Sequence, residues 1–190
     1  MGKFVEQIYR NTKNYREIIF LDRDGVIIKD TSYVHEVKDI EFLPNAIEGL
    51  LKLQQLGYEF IIVSNQAGVA RGYYTLKDAE DFHEEVVRRL NAQGVSIKKS
   101  YLCPHHPDFT GPCNCRKPEV GFAQQAAREF GIQLEESLFI GDKDSDIQFV
   151  NNCGGTTFLT KSDQYQTAIK PDFMVYNLVE MCDILQGFSH

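Results

Sequence analysis

Apolar residues along this chain fall into short runs, separated by stretches with helical spacing. Ile18-Ile19-Phe20-Leu21 is a continuous apolar run rich in β-branched and aromatic residues, as a parallel strand buried on both faces requires. Tyr58 to Val63, Ile97 to Leu102, Ser137 to Ile140, Thr156 to Leu159 and Asp172 to Val175 repeat the pattern and predict further strands. Between the first two, Ile47, Leu50, Leu51 and Leu53 share a helical face, with Pro44 expected in the first turn and Gly57 at the end. Thr75 predicts the N-cap of a long helix through Leu90, closed by Gly94. Phe122 to Phe130, a short segment ending near Asn151, and Leu178 to Leu185 predict the remaining helices.

Other stretches lack a clean period. Residues 1–15 read as a polar amino-terminal extension, Lys29 to Phe42 as a short hairpin or flap over the first strand end, and Ser64 to Gly72 as a polar loop with two glycines. Cys103 to Pro118 reads as irregular. Strands alternating with helices imply an α/β fold with a doubly wound, mostly parallel sheet. No repeat or composition shift divides residues 16–190, which are expected to form a single domain.

In an open parallel sheet, ligands gather at the carboxyl ends of the strands. Four of the expected strands end in chemically capable residues: Asp22 and Asp24, Ser64 and Asn65, Cys103 onwards, and Asp142 with Asp146. An isolated Asp-x-Asp is more often a solvated acidic turn, and a lone Lys before Pro, as at Lys117, is usually surface. Convergence at four strand ends changes that weighting. The Cys103-x-His105 and Cys113-x-Cys115 pairs, within residues 103–115, supply three thiols and one imidazole. That is a donor set for a closed, structural Zn²⁺ site. The alternatives are reduced surface thiols or a redox pair, although a disulfide across the short Cys113–Cys115 loop would be strained. His106 either supports the metal or faces solvent, and Cys153 and Cys182 read as packing residues.

The net charge of -7 argues against a nucleic-acid-coating surface, but leaves room for a small anionic substrate held by local cations. No apolar run is long enough to span a bilayer, and Met1 to Arg16 lacks the apolar core of a signal peptide. A cytoplasmic monomer with no nucleic-acid or membrane partner is the expectation.

Four motifs, in this order and these strand contexts, resemble the haloacid-dehalogenase-like phosphatases: Asp22-Arg23-Asp24-Gly25-Val26, Ser64, Lys117, and Gly141-Asp142-x-x-x-Asp146. The closest resemblance within them is to the D-glycero-D-manno-heptose 1,7-bisphosphate 7-phosphatases. It is carried by Tyr33-Val34-His35-Glu36, Asn65-Gln66-x-Gly68-x-Ala70-Arg71-Gly72, Cys103-Pro104-His105-His106-Pro107 and Cys113-x-Cys115-Arg116-Lys117-Pro118. The related histidinol-phosphate phosphatases share much of the cysteine loop.

The resemblance implies hydrolysis of a phosphorylated sugar through an aspartyl-phosphate on Asp22, with Asp24 as acid and then base. It implies Ser64 and Lys117 at the phosphoryl group, and Mg²⁺ held by Asp22, Asp142 and the Asp24 carbonyl. Asp146 is either a support for this centre or a helix N-terminal charge. The connections after the first two strands are too short for a large cap, so a minimally capped site is expected. Asn65, Arg71, Arg116 and Lys143 are candidate substrate contacts, Arg71 equally a surface residue, and Arg116 the candidate for a second phosphate. The rivals are a phosphatase for histidinol phosphate or another small sugar phosphate, a phosphomutase or phosphotransferase, and a catalytically silent zinc-stabilised binding module; minimal capping, which admits water, favours hydrolysis over transfer.

Overall fold

The computed structural model of the chain describes residues 17–161 and 164–187. The expected extension, residues 1–15, lies outside them. Six parallel strands form one sheet in the order β3-β2-β1-β4-β5-β6. They are β1 (Ile18–Leu21), β2 (Glu59–Asn65), β3 (Ile97–Cys103), β4 (Leu138–Gly141), β5 (Thr156–Thr160) and β6 (Phe173–Val175). The chain winds outward from β1 to β3, then returns to β4 beside β1 and winds the other way. The order therefore reverses between β1 and β4, where a crevice opens at the strand ends.

Strand alternation sorts the core onto two faces. Ile19, Leu21, Phe60, Ile62 and Phe158 pack under α1 (Ala46–Gln55), α3 (Leu76–Ala92) and α7 (Leu178–Gly187), through residues such as Leu50, Phe82 and Met181. Ile18, Phe20, Ile61, Val63 and Phe139 pack under α5 (Gly121–Phe130) and α6 (Asp144–Cys153), through Ala123, Ala126, Phe149 and Val150. Phe20 and Phe139 stack across adjacent strands at 4.6 Å.

Thr75 caps α3 as its sequence suggests, in a reciprocal capping box with Asp78. Other boundaries differ from the pattern. Pro44 stands outside α1, because Asn45 forms the N-cap in a left-handed conformation (φ 64) and the helix begins at Ala46. Asn tolerates that conformation, which turns the chain sharply into the helix. The expected loop after β2 contains a helical turn, α2 (Ala67–Ala70), and the cysteine stretch contains another, α4 (Pro107–Thr110). The segment between β1 and α1 is a flap fastened by an antiparallel bridge between Ile28 and Phe42. Among the described residues, no cap domain is inserted after β1 or β2.

Candidate active site

Asp22 follows β1 directly and its backbone N–H continues the pairing to β4 by donating to Ile140 O at 2.9 Å. Lys117 arrives from the far end of the cysteine loop. Its buried ammonium lies 2.9 Å from Asp22 Oδ1 and 2.7 Å from Asp146 Oδ1. The other Asp146 oxygen accepts from the backbone N–H groups of Asp142 (3.2 Å) and Lys143 (3.1 Å). Asp146 thus closes the start of α6 and also anchors Lys117.

Two glycines permit this crowding. A Cβ on Gly25 (φ +86) would meet Asp142 Oδ2 at 2.2 Å, and one on Gly141 would meet Asp146 at 2.3 Å.

Carboxylate oxygens of Asp22, Asp142 and Asp146 all lie within 4.8 Å of one another. Burial pushes Asp22 up to about 6, against the pull of Lys117. Burial, then the charge of Asp22, pushes Asp142 up to about 8. Burial opposes the Lys117 ammonium, but Asp146 and Asp22 outweigh it and hold its pKa above the ordinary value. Asp142 Oδ1 is buried without a hydrogen-bond partner; Lys143 Nζ stands 3.6 Å away. An oxygen-only donor set with one orphaned carboxylate oxygen fits a hard divalent cation such as Mg²⁺.

The Asp24 carboxylate stands apart from this cluster. Arg23, completely buried, grips it through Nε to Oδ1 and Nη2 to Oδ2, both at 2.9 Å. Any metal contact from Asp24 would come through its carbonyl, as the resemblance implied. Ser64 is buried at the end of β2, its Oγ accepting from Gln66 Nε2 at 2.8 Å. Asn65 lines the cleft, but its side-chain amide is spent on Lys117: Nδ2 donates to Lys117 O and Oδ1 accepts from Lys117 N, each at 3.0 Å. It splints the Lys117 loop rather than offering its amide to a ligand.

Asp22, Lys117 and Asp146 border a cleft of about 240 Å³ whose walls also include Asp24, Tyr33, Asn65, Arg116, Lys143 and Tyr165. Lys143 is held by Asp30 Oδ2 at 2.9 Å and lies over the Tyr165 ring. Arg116 donates to His105 O at 3.2 Å, which ties it to the cysteine loop. Arg71 is not part of this wall. Its guanidinium sits between the Phe109 ring (4.7 Å) and the Tyr33 ring (5.9 Å), and its buried Nε has no partner.

At the loop base, donor atoms of Cys103, His105, Cys113 and Cys115 lie within 4.8 Å of one another, and all three cysteines are free thiols. Their sulfurs are 3.0, 3.5 and 3.8 Å apart, and His105 Nδ1 is 3.3 Å from Cys115 Sγ. Thiolates about 2.3 Å from a tetrahedral zinc would stand about 3.8 Å apart, so the cluster fits that ion with small adjustments. Burial raises the Cys103 thiol, a shift that a bound cation would reverse.

The HAD-hydrolase-like family model matches residues 114–181. The D-glycero-alpha-D-manno-heptose-1,7-bisphosphate 7-phosphatase of Photorhabdus laumondii is 42% identical over 146 residues, covering 74% of this chain and 80% of that protein. The chain belongs to the heptose-1,7-bisphosphate 7-phosphatase family. A D-glycero-beta-D-manno-heptose-1,7-bisphosphate 7-phosphatase of Helicobacter pylori is 42% identical over 135 residues, covering 70% of this chain and 77% of that protein. The crystal structure of the D,D-heptose 1,7-bisphosphate phosphatase of B. bronchiseptica, complexed with magnesium and phosphate, superposes with a TM-score of 0.80 at 26% identity. It covers 90% of this chain and 98% of that one.

Within this heptose bisphosphatase fold, several cleft residues escaped the sequence reading. Asp30 and Tyr165, joined by a 2.8 Å hydrogen bond, lie far apart along the chain and carry no local signal. Tyr74 is hidden among other aromatic residues, and Gln66 stood inside a quoted motif without an assigned task.

Proposed function

We propose that this chain is a Mg²⁺-dependent phosphatase that removes the 7-phosphate of D-glycero-D-manno-heptose 1,7-bisphosphate. The observation that carries the reading is the meeting of Asp22, Lys117 and Asp142 at the β1/β4 switch point, in a member of this family. Asp22 attacks phosphorus in line. The bond from phosphorus to the sugar oxygen breaks, and Asp24 gives that oxygen its proton. Asp24, now a carboxylate, takes a proton from the water that attacks the aspartyl-phosphate, releasing phosphate and restoring Asp22. Lys117 and Ser64 bind the phosphoryl oxygens and offset their charge.

Asp22, Asp142 and the Asp24 carbonyl would hold Mg²⁺, which when bound supplies further charge neutralisation at those oxygens. Cys103, His105, Cys113 and Cys115 would hold a structural Zn²⁺ that keeps Arg116 and Lys117 in place. A phosphate on a primary carbon can reach down to Asp22 while the ring and 1-phosphate stay at the rim beside Arg116. Lys143 also faces the substrate. Arg71 supports the rim instead, since both flanking rings belong to loops around the cleft.

No described helix is long and apolar enough to cross a membrane, and our reading is of a cytoplasmic monomer with the whole site on one domain.

The test is phosphate release from a panel containing the heptose bisphosphate, histidinol phosphate and a simple sugar monophosphate, with and without Mg²⁺. The heptose bisphosphate should give the highest kcat/KM. Preference for histidinol phosphate would reject the substrate assignment, and turnover unaffected by Asp22→Asn would reject the mechanism.

A further inference from the structure

The Tyr33-Val34-His35-Glu36 segment and Gln66 have no part in the scheme above, yet the fold links them to Asp24 through Tyr74. The Gln66 side chain is buried, and each of its polar atoms is engaged. Nε2 donates to Asp24 Oδ2 at 2.7 Å and to Ser64 Oγ at 2.8 Å. Oε1 accepts from the Tyr74 hydroxyl at 2.9 Å. The accepting Asp24 carboxylate settles which way the amide faces, with nitrogen toward Asp24 and Ser64 and oxygen toward the Tyr74 hydroxyl. Tyr74 is itself pinned. The His35 ring stacks on it at 4.5 Å, and Gly68 leaves just enough room, since a Cβ there would meet the Tyr74 ring at 2.2 Å.

We propose that Gln66 is a positioning residue for the leaving-group step, oriented by Tyr74 and, through His35, by the flap. One amide nitrogen acts on two groups. It holds the Asp24 carboxyl at Oδ2, which it shares with Arg23 Nη2, while Arg23 Nε holds Oδ1. It also donates into Ser64 Oγ, leaving the Ser64 proton free to point at a phosphoryl oxygen. His35 belongs to the flap that carries Tyr33 into the cleft wall, so flap placement and acid placement are coupled through Tyr74. A misplaced acid costs rate even when binding is intact, because small errors of geometry are amplified in the transition state. This inference rests on the assignment of Asp24 as the acid.

The experiment compares two substrates with Mg²⁺ saturating. The heptose bisphosphate leaves as an alkoxide and needs a proton. Para-nitrophenyl phosphate leaves as a stable phenolate and does not. Gln66→Ala should lower kcat/KM on the sugar about 30- to 300-fold, within the range of general acid catalysis. Its loss in kcat/KM on the aryl ester should be under about fivefold, because kcat/KM reports the steps through departure of the leaving group and not the later water attack that both substrates share. Tyr74→Phe keeps the ring and the His35 stack, and should shift the same ratio about three- to tenfold. In the Gln66→Ala background it should add nothing, because the two residues act in series.

Equal losses on the two substrates, or additive effects of the two changes, would overturn the proposal. Asp24→Asn is the internal reference. If it is selective for the sugar while Gln66→Ala and Tyr74→Phe are not, only the positioning role falls. If it is not selective, the acid assignment falls and this inference with it. Should Gln66→Ala fail to fold by thermal melting, the isosteric Tyr74→Phe decides alone.

Discussion

Replacing Lys117 by Met should expose how the acidic cluster is balanced before any metal arrives. The Lys117 ammonium is nearly sequestered from solvent and touches Asp22 and Asp146 at 2.9 and 2.7 Å. Met keeps most of the volume and deletes the charge. Breaking a buried ion pair by removing one partner typically costs about 3–5 kcal/mol. Spread over a chain of this size, that is a fall in Tm on the order of 6–20 °C.

The deficit should depend on pH. Burial already holds Asp22 up to about 6 and Asp142 up to about 8, so the folded chain takes up protons before the unfolded chain does. Stability therefore rises as pH falls through these values and levels off near the unfolded carboxyl value of about 4. Without Lys117 the acids are pushed further up, so the loss is greatest near pH 8 and shrinks toward pH 5. Added Mg²⁺ should restore part of it near pH 8 by supplying positive charge. Urea unfolding of wild type and variant in Mg²⁺-free buffer at both pH values, followed by a Mg²⁺ titration, measures each part. A deficit below about 1 kcal/mol, or one independent of pH, would refute the argument that Lys117 neutralises this cluster.

Three further outcomes are expected. Asp22→Asn should abolish phosphate release while leaving circular dichroism and zinc content unchanged, and Asp24→Asn should lower kcat by about two or more orders of magnitude; more than a few per cent residual activity in Asp22→Asn would remove it as nucleophile. Protein purified under reducing conditions without chelator should contain about one zinc per chain by metal analysis, and stripping it should lower Tm and slow turnover by loosening the loop that carries Arg116 and Lys117. Arg116→Ala should reduce kcat/KM for the bisphosphate about 10- to 1000-fold, and far less for a sugar monophosphate, the signature of losing one charge-assisted contact; equal losses in a steady-state comparison would move Arg116 to the reacting phosphoryl group.

What could be read in the sequence was whatever repeats locally. The apolar run Ile18 to Leu21, the spacing of the α1 leucines and the Thr75 cap each follow from near neighbours, and all three hold in the structure. So does the gathering of the strand-end acids, because parallel topology forces it. Less legible was how side chains from distant segments divide the work among themselves. Nothing in Asn65 says that its amide will clasp the backbone of Lys117, 52 positions later. Asp146 fell between two readings because it fills both places at once, capping α6 with one oxygen and holding Lys117 with the other. Arg71 stood equally as a substrate contact and as a surface residue, because a guanidinium near a strand end suits both. The rings of Tyr33 and Phe109, from two other loops, claim its guanidinium instead. Pro44 misled because a proline close to a helix start fits equally well just outside it, and the left-handed turn at Asn45 decided the matter.

The strand order bears on how the chain is born as well as on what it does. β1 finds β2 early in synthesis, but its other neighbour, β4, begins only at Leu138. At a ribosomal pace of about 5–20 residues per second, the central strand waits several seconds or longer with one hydrogen-bonding edge uncovered. That edge carries Asp22 at its tip, and the charge there discourages a stray strand from another chain from adding to it. On the proposed mechanism, turnover should begin only once β4 has brought Asp142 beside Asp22, so activity in a translation mixture should report the moment at which the two halves of the sheet join.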